Sequence, residues 1–404
     1  MSSVVATVAV GGFPNALALR TRNVLIDLLQ GRGTRFLSHY PYAYVANYDG
    51  SVNVIRTSDN KVVKTIPNLG FAAGVKVSAN GSRAYVLRMQ GVTVIDTATN
   101  SVVGDIWHGT DQSYSLAISP NQKTLYIVEH GNKLYVIGIA PHTVSSVTVG
   151  TEPVDVEVSP DGAHVYTADI DSDTVTVVST ATNTVTATIA VGGNPQTVVA
   201  SPDGTRLYVA NAGHSTPGRL DVPIGTISVI NTATNTVTAT IAVGKDPKGI
   251  AVSPNGKRVY VTNRWDGVLL DPSTGDVAAE AAGSVSVINA TTNQVIETIT
   301  AGRMPDGIAV SPQGDYLYVA NGNDGTVSVI KTGSEIGDIF NHRVLELIAQ
   351  ARRINGSWMV VGSKVIPIPP HPPTLAALAE TAALHLDGAF DSPEIVEQLR
   401  RLQD

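Results

Sequence analysis

A four-residue word that begins with tyrosine recurs seven times in this chain of 404 residues, and it constrains the fold more than any other feature. The word reads YVAN, YVLR, YIVE, YTAD, YVAN, YVTN and YVAN, and its tyrosines are Tyr44, Tyr85, Tyr126, Tyr166, Tyr208, Tyr260 and Tyr318. Successive tyrosines are 41, 41, 40, 42, 52 and 58 residues apart. Such a period indicates a repeat protein, in which each unit buries its apolar face by stacking on its neighbours.

Each repeat divides into four short runs in which apolar and polar residues alternate. In the fourth repeat, these runs and the turns that end them are PVDVEVSPDG, AHVYTAD, TVTVVSTATN and TVTATIAVG. The SPDG and TATN segments have the composition of tight turns, and period-two alternation between turns is typical of β-strands. Four antiparallel strands in about 40 residues form one blade of a β-propeller.

The first residues of the chain supply a strand that the last repeat lacks. Residues 4–11 (VVATVAVG) match residues 185–192 (VTATIAVG), the fourth run of the fourth repeat. The seventh repeat leaves the pattern at Gly333, after only three runs. We therefore predict an all-β fold over residues 1–332, a seven-bladed β-propeller closed by its N-terminal strand, which completes the last blade. Closure would remove an exposed sheet edge.

Three insertions interrupt the period. Residues 20–40 enlarge the connection between the first and second strands of blade one. Residues 213–225 and 267–283 enlarge the loops between the second and third strands of blades five and six. Because turns alternate between the two ends of a meander, we expect these last two insertions to share one face and the first to lie on the opposite face.

The composition changes after residue 333. Apolar residues recur at helical spacing, so we predict a mainly α-helical extension over residues 333–404. Within it we expect a short hairpin at 357–368 and a stiff, proline-rich joint at 367–373.

The repeat words and turns resemble those of the YVTN family of β-propeller repeats. The segment 260–263 is the YVTN signature itself, and the same turns recur as SPDG at 159–162 and 201–204, SPNG at 253–256, and TATN at 97–100, 180–183 and 232–235. The resemblance covers residues 1–332 and implies the propeller fold. Proteins built on such repeats include envelope and surface-layer proteins, binding proteins, and relatives of lactonases and of redox-enzyme propellers. The redox propellers bind haem or copper through His and Cys motifs that this chain lacks.

Composition excludes several classes of function. The chain has 27 basic and 34 acidic residues, a net charge of −7, which argues against broad binding to nucleic acid. It contains no cysteine, which excludes disulfides, iron–sulfur clusters, c-type haem and Cys-ligated zinc. We expect no cofactor and no metal site, and no membrane span, because no apolar run is long enough. The N-terminus lacks the features of a signal peptide. As written it predicts a cytoplasmic protein, and a secreted or periplasmic one if a leader was trimmed.

One position of the repeat word breaks its pattern in adjacent blades. Three residues after each tyrosine the chain has Asn47, Arg88, Glu129, Asp169, Asn211, Asn263 and Asn321. Blades two to four thus replace asparagine with a charge, and neighbouring loops add histidines and acids. The candidate ligand-binding residues of this sector are Arg88, His108, Asp111, Glu129, His130, Glu152, Asp155 and Asp169. The sector is either a polar ligand pocket or a solvated rim in which polar residues serve the turns.

The first strands should line the central channel. Most blades carry small residues there, whereas Lys76, Asp155 and Glu157 are polar. These three residues predict either a channel ligand or a water-filled lining.

No nucleophile-elbow, zinc-protease or P-loop motif occurs in the chain. We therefore predict a non-catalytic binding scaffold that presents its loop-rich face to a protein or a small polar ligand. The alternatives are a hydrolase or lyase that uses the sector of Glu129, His130 and Asp169, and a structural protein of the cell envelope. The oligomeric state stays open.

Overall fold

The structure is a computed structural model that describes residues 2–19, 42–89, 91–106, 112–214, 223–265, 268–270, 277–280, 282–312, 314–332, 358–361 and 364–367. The chain divides into two compact units: Met1–Arg22 with Tyr40–Gly333, and Asn23–His39 with Ser334–Asp404. The described part of the second unit is the hairpin of β30 (Trp358–Val361) and β31 (Lys364–Pro367), where the sequence predicts one. The insertion at 20–40 and the predicted helices of the tail lie outside the described residues.

The first unit consists of antiparallel sheets that correspond to seven four-stranded blades within its described residues. Blade one comprises β2 (Pro14–Leu19), β3 (Tyr42–Asn47), β4 (Val52–Arg56) and β5 (Lys61–Ile66). Blade two comprises β6 (Ala72–Val77), β7 (Arg83–Arg88), β8 (Gly91–Asp96) and β9 (Ser101–Ile106). Blade three comprises β10 (Ser113–Ile118), β11 (Thr124–Glu129), β12 (Lys133–Gly138) and β13 (Thr143–Thr148). Blade four comprises β14 (Pro153–Val158), β15 (His164–Asp169), β16 (Thr174–Ser179) and β17 (Thr184–Ala190).

Blades five and six are joined by one long strand. Blade five comprises β18 (Pro195–Ala200), β19 (Arg206–Asn211), β20 (Ile224–Asn231) and the first half of β21 (Thr236–Val252). The second half of β21 opens blade six, which continues with β22 (Arg258–Trp265), β25 (Ser284–Asn289) and β26 (Gln294–Thr300). Between β22 and β25, the insertion contains the small hairpin of β23 (Val268–Leu270) and β24 (Val277–Glu280). The sequence predicts two separate strands where β21 runs continuously.

Blade seven includes the N-terminal strand. Its strands are β27 (Pro305–Val310), β28 (Tyr316–Asn321), β29 (Thr326–Lys331) and β1 (Ser3–Ala9), with a short 3-10 turn, η1 (Gly322–Asp324), before β29. β1 pairs antiparallel with β29, so that Ser3 faces Lys331 and Ala9 faces Thr326. The fourth strand of this blade therefore comes from the opposite end of the unit's sequence.

The turns form for the reasons that the sequence suggests. In the SPDG turn of blade four, Ser159 Oγ accepts a hydrogen bond from the backbone N–H of His164 and donates one to Asp161. Gly162 there has a φ of 75°, which glycine adopts without steric cost. In the TATN turns, Asn100, Asn183 and Asn235 have positive φ, which asparagine tolerates better than most residues.

The core lies between neighbouring sheets. All seven repeat tyrosines are buried. Tyr44 of blade one, for example, packs in a cluster with Val75 and Val86 of blade two. An equivalent cluster joins blade seven to blade one and contains Tyr318, Val329 and Leu17. The repeat tyrosine therefore packs one blade against the next, as a repeat without a core of its own requires.

Candidate functional site

Every blade brings the start of its first strand and the end of its second strand to the same end of the sheet, which we call the upper face. In blade four Pro153 pairs with Asp169, and in blade six Pro247 pairs with Asn263. We call the second-strand member of this pair the latch residue. Directly after this pair, each first strand has a bulge, at which its register with the second strand shifts. We call the residue that follows the first-strand member of the pair, such as Lys248 after Pro247, the bulge residue. Bulges re-aim side chains and are frequent beside functional sites.

Four blades have a buried asparagine at the latch position: Asn47, Asn211, Asn263 and Asn321. In blades five, six and seven its amide donates to hydroxyl groups on the third strand; Asn211 Nδ2, for instance, donates to Ser228 Oγ at 3.0 Å. Asn263 Oδ1 also accepts a hydrogen bond from the backbone N–H of Gly244, in the connection before its first strand. In blades six and seven the latch asparagine thus ties two strands of its own blade to the segment that precedes it, which is more than the local turn that the sequence suggests.

Asp169 fills the same role in blade four with a carboxylate. It is fully buried and accepts hydrogen bonds from three hydroxyl groups, Thr167 Oγ1 at 2.7 Å, Thr174 Oγ1 at 3.2 Å and Thr176 Oγ1 at 2.6 Å. Burial raises the pKa of Asp169, and these hydrogen bonds act against that rise. The side chain therefore lies inside the blade and is engaged there.

The other two charged latch residues also have partners within their blades. Glu129 is 1% exposed and accepts a hydrogen bond from Ser113 Oγ at 3.2 Å. Arg88 reaches across its blade to Asp105, with Nη2 2.9 Å from Oδ1, and Thr93 donates to the same oxygen. Glu129 and Asp169 are thus buried inside their blades, whereas Arg88 is partly exposed and is held by Asp105.

Three residues of blades three and four do meet at the surface. Glu152 Oε1 accepts a hydrogen bond from the hydroxyl of Tyr114, the bulge residue of blade three, at 2.8 Å. Glu152 Oε2 accepts one from the backbone N–H of Gly131 and lies 3.8 Å from His130 Nε2. Burial, and then the hydrogen bond to Glu152, raises the pKa of Tyr114 to about 12, so this phenol stays protonated at neutral pH. His130 is well exposed.

Asp155 and Glu157 lie on the inner strand of blade four. Asp155 accepts a hydrogen bond from Ser115 Oγ of blade three at 2.6 Å and one from the backbone N–H of Val198 of blade five at 2.9 Å. It therefore links three consecutive first strands. Burial, despite the opposing charge of Lys76, raises the pKa of Glu157 to about 7.

The predicted sector is only partly brought together. Tyr114, His130 and Glu152 form one group, whereas Arg88, Glu129 and Asp169 are each engaged inside their own blades. His108 and Asp111 lie outside the described residues. That these candidates bind a ligand stays a prediction.

A second polar cluster, which the sequence analysis missed, lies on the upper face of blades five to seven. Lys248 and Gln196 are the bulge residues of blades six and five, and Lys248 Nζ donates to Gln196 Oε1 at 2.8 Å. Arg264 directly follows the latch residue of blade six and forms an ion pair with Asp306, the bulge residue of blade seven. Asp306 is 4% exposed. We call Gln196, Lys248, Arg264 and Asp306 the bulge cluster.

Lys248 is the unusual member of the bulge cluster. Burial, and then the nearby charge of Arg264, lowers its pKa to about 8, although Asp306, Asp155 and Asp246 act in the opposite direction. Within the described residues, its ammonium group has one hydrogen-bond acceptor, the neutral amide of Gln196. An ammonium group has three donors, so the described residues leave this cation incompletely satisfied.

A signal for the bulge cluster was present in the sequence. From blade one to blade seven the bulge residues are Asn15, Ala73, Tyr114, Val154, Gln196, Lys248 and Asp306. Two of the seven are charged, Lys248 and Asp306, and they belong to consecutive blades. The signal was missed because polar residues of the first strands were sought one and three residues after the bulge position and not at the bulge position itself. The contact between Arg264 and Asp306 also joins residues 42 apart, which no local pattern reveals.

Among the described residues, no group of three or more His, Asp or Glu side chains could hold a metal ion. No helix in the described part of the chain is long and apolar enough to cross a membrane.

Two sequence families match parts of the chain. Residues 114–240 match the Choice-of-anchor I domain, and residues 219–344 match the family described as Lactonase, 7-bladed beta-propeller. Each match covers less than a third of the chain. The second one includes Lys248, Arg264 and Asp306.

Two individual relatives match the chain, and the name of the first one states its fold. The seven-bladed beta-propeller protein Rv1057 of Mycobacterium tuberculosis is 27% identical over 336 residues, which cover 72% of this chain and 78% of that protein. Antigen Lp49 of Leptospira interrogans is 33% identical over 112 residues, which cover 28% of this chain and 24% of the antigen. The chain thus matches only about a quarter of the antigen's length.

Among solved structures, hydrazine synthase of Kuenenia stuttgartiensis superposes with a TM-score of 0.64 at 20% identity, covering 80% of this chain and 96% of that one. At this identity the likeness concerns the fold alone. Together with the observed sheets, these similarities show that the chain is a β-propeller of the seven-bladed kind.

Proposed function

We propose that this propeller is a binding scaffold for a small polar ligand, which it holds on the upper face at the bulge cluster. The observation that carries the proposal is the incompletely satisfied ammonium group of Lys248, held by Gln196 on the adjacent first strand. First strands are the most enclosed strands of a propeller, so a site built on them is preorganised. Strands β19 and β22 end on the same face, where the two long insertions of blades five and six begin.

We further propose that the blades form a closed ring of YVTN-type repeats. Three observations support closure: the pairing of β1 with β29, the apolar cluster between blades seven and one, and the close approach of their first strands. A Cβ atom on Gly307 would lie 2.8 Å from the backbone oxygen of Asn15. A closed ring would hold the bulge residues at fixed mutual distances.

A thermal-shift screen against a library of small polar metabolites tests the binding function. We expect ligands that raise the melting temperature of the wild-type protein and not that of the Lys248→Met variant. Lys123→Met is the matched control, because Lys123 is an exposed lysine in a turn at the other end of blade three. Ligands that stabilise all three proteins equally would bind elsewhere, and a screen in which every ligand does so would contradict the proposal.

A hydrolase is the second candidate, because the partial match to the lactonase family spans the bulge cluster. This function predicts hydrolysis of simple lactones by the wild-type protein, detected as acid release, and its loss in the Lys248→Met variant. If the wild-type protein releases acid no faster than the Lys248→Met variant does, this candidate is excluded and the binding function is unaffected.

A further inference from the structure

The bulge cluster combines two cations with one buried carboxylate. Arg264 is already paired with Asp306, while Lys248 has only a neutral acceptor among the described residues. The cluster therefore has one positive charge without a direct counterion. A charge enclosed by protein is costly unless it is paired, and a site that carries such a charge favours a ligand that supplies the partner.

We propose that the ligand of the upper face presents a single carboxylate group, which accepts hydrogen bonds from Lys248 Nζ and lies beside the guanidinium group of Arg264. This inference rests on the proposed binding function and adds the chemical class of the ligand. A carboxylate matches both the ammonium group, as a point charge, and the planar guanidinium group.

The surrounding charges favour a monoanion. Asp306, Asp155 and Asp246 all act on Lys248, and Asp246 Oδ2 lies 4.0 Å from Arg264 Nη1. A second negative charge on the ligand would meet three acidic side chains and a single unpaired cation. Repulsion of this kind selects between ligands of similar size. Inorganic phosphate should therefore bind less tightly than a monocarboxylate.

The cations are held in place before a ligand arrives. Gln196, which holds Lys248, donates in turn to Asn194 Oδ1 at 2.6 Å. Asp306, which holds Arg264, is fixed through its backbone, because its carbonyl oxygen accepts a hydrogen bond from Thr262 Oγ1 at 2.9 Å. Supporting contacts of this kind reduce the cost of ordering a site upon binding.

Isothermal titration of the full chain with butyrate, butyramide and inorganic phosphate at pH 7 tests the inference. Butyramide has nearly the shape of butyrate without its charge. We expect butyrate to bind at least tenfold more tightly than butyramide or phosphate, and we expect Lys248→Met to abolish butyrate binding. The Lys123→Met variant should bind butyrate as the wild-type protein does.

A pH series separates recognition by Lys248 from other causes. Between pH 7 and pH 9 Lys248 loses its proton, since its pKa is about 8, whereas the guanidinium group of Arg264, whose pKa is raised, stays charged. The association constant for butyrate should therefore fall about tenfold over this range. Lys248→Arg should bind butyrate with no such fall, because arginine does not titrate there.

The outcomes also separate this inference from the proposed function. Equal binding of butyramide, tighter binding of phosphate, or no butyrate binding at millimolar concentration would overturn the carboxylate inference. If a neutral ligand from the metabolite screen still required Lys248, the binding function would stand and only the carboxylate inference would fail. If no ligand depended on Lys248, both would fail.

Discussion

Glu157 shows how one residue on an inner strand can couple stability to pH. Burial raises the pKa of its carboxyl group, and the charge of Asp155 adds to this rise, whereas the charge of Lys76 and the backbone N–H of Ala200 act against it. Because the pKa of Glu157 is raised to about 7, the folded protein binds a proton that the unfolded chain releases at lower pH. The contribution of this group to stability is therefore complete below its unfolded pKa and is lost as the pH rises through about 7.

Glu157→Gln should remove this dependence. At pH 4 the variant and the wild-type protein should have nearly equal free energies of unfolding, because Glu157 is then neutral in the folded protein and mostly neutral in the unfolded chain. At pH 8.5 the variant should be more stable by on the order of 1 kcal/mol, after allowance for water in the channel. Urea denaturation at both pH values provides the measurement. The control is Asp171→Asn, an exposed acid nearby, which should change neither value. A variant no more stable than wild type at pH 8.5 would contradict this account.

At the scale of single residues, the sequence pointed to Glu157 and Asp155 but not to Lys248. Glu157 and Asp155 were found because they break a row of small residues at matching repeat positions. Lys248 was missed because its partner Gln196 is 52 residues away and because its importance depends on burial, which a repeat alignment does not report. The latch residues were identified as irregular, but a sequence cannot distinguish a buried hydroxyl-bonded carboxylate from one on a solvated rim.

The latch side chain packs against the segment that precedes its blade, and a glycine in that segment leaves space for it. A Cβ atom on Gly150, in the connection before blade four, would lie 2.4 Å from Asp169 Oδ2. The equivalent glycines Gly192, Gly244 and Gly302 approach latch asparagines in the same way. The glycine that ends the fourth run of many repeats is therefore required by the next blade and not only by its own turn.

Gly150→Ala should destabilise the protein by roughly 1–3 kcal/mol, because the buried Asp169 cannot move aside without loss of its hydrogen bonds. Gly104→Ala is the matched control. Gly104 lies in β9, has an ordinary φ, and its added Cβ would meet nothing within 4 Å. The free energies of unfolding of both variants in urea give the comparison. Equal losses of stability in the two variants would show that the close approach of Gly150 to Asp169 does not require glycine at position 150.

Replacement of Asp169 tests the latch directly. Asp169→Asn should be tolerated, with a change below about 1 kcal/mol, because three other blades use asparagine against hydroxyl groups of the third strand. Asp169→Ala should cost roughly 1–3 kcal/mol, since it leaves three threonine hydroxyl groups without their acceptor. Thermal and urea unfolding would measure both changes. An alanine variant as stable as the asparagine variant would contradict a structural role for the latch.

The strands and turns were largely predictable because their signals are local. Period-two alternation and the SPDG and TATN turns locate most strands, since asparagine and glycine reveal where the backbone needs positive φ. The continuous strand β21 was not predicted, because the bend that separates two strands elsewhere depends on how adjacent blades pack. The bulge in each first strand was also not predicted, since it appears only in the pairing with the second strand.

At the scale of the whole molecule, the repeat pattern accounts for the architecture. Seven blades in sequence, each packed on the next through its tyrosine, leave the first and last blades to meet. The match between residues 4–11 and 185–192 identifies the fourth strand of blade seven, and β1 does pair with β29. A closed ring is what would keep the bulge residues of blades five to seven at the spacing that the proposed site needs.

An engineered disulfide between β1 and β29 tests this closed ring most directly. The chain has no cysteine, so Ser3→Cys with Lys331→Cys adds the only two thiols. These residues are register partners, and partners in antiparallel strands have Cα atoms about 4.5–5.5 Å apart, within disulfide range. In the control, Ser3→Cys with Thr326→Cys, the thiols lie roughly 17 Å apart along the same strands.

Under mild oxidation, peptide mapping should find an intramolecular disulfide in the monomeric matched pair and none in the control. Absence of that bond in the matched pair, or its equal formation in both proteins, would contradict the closed ring.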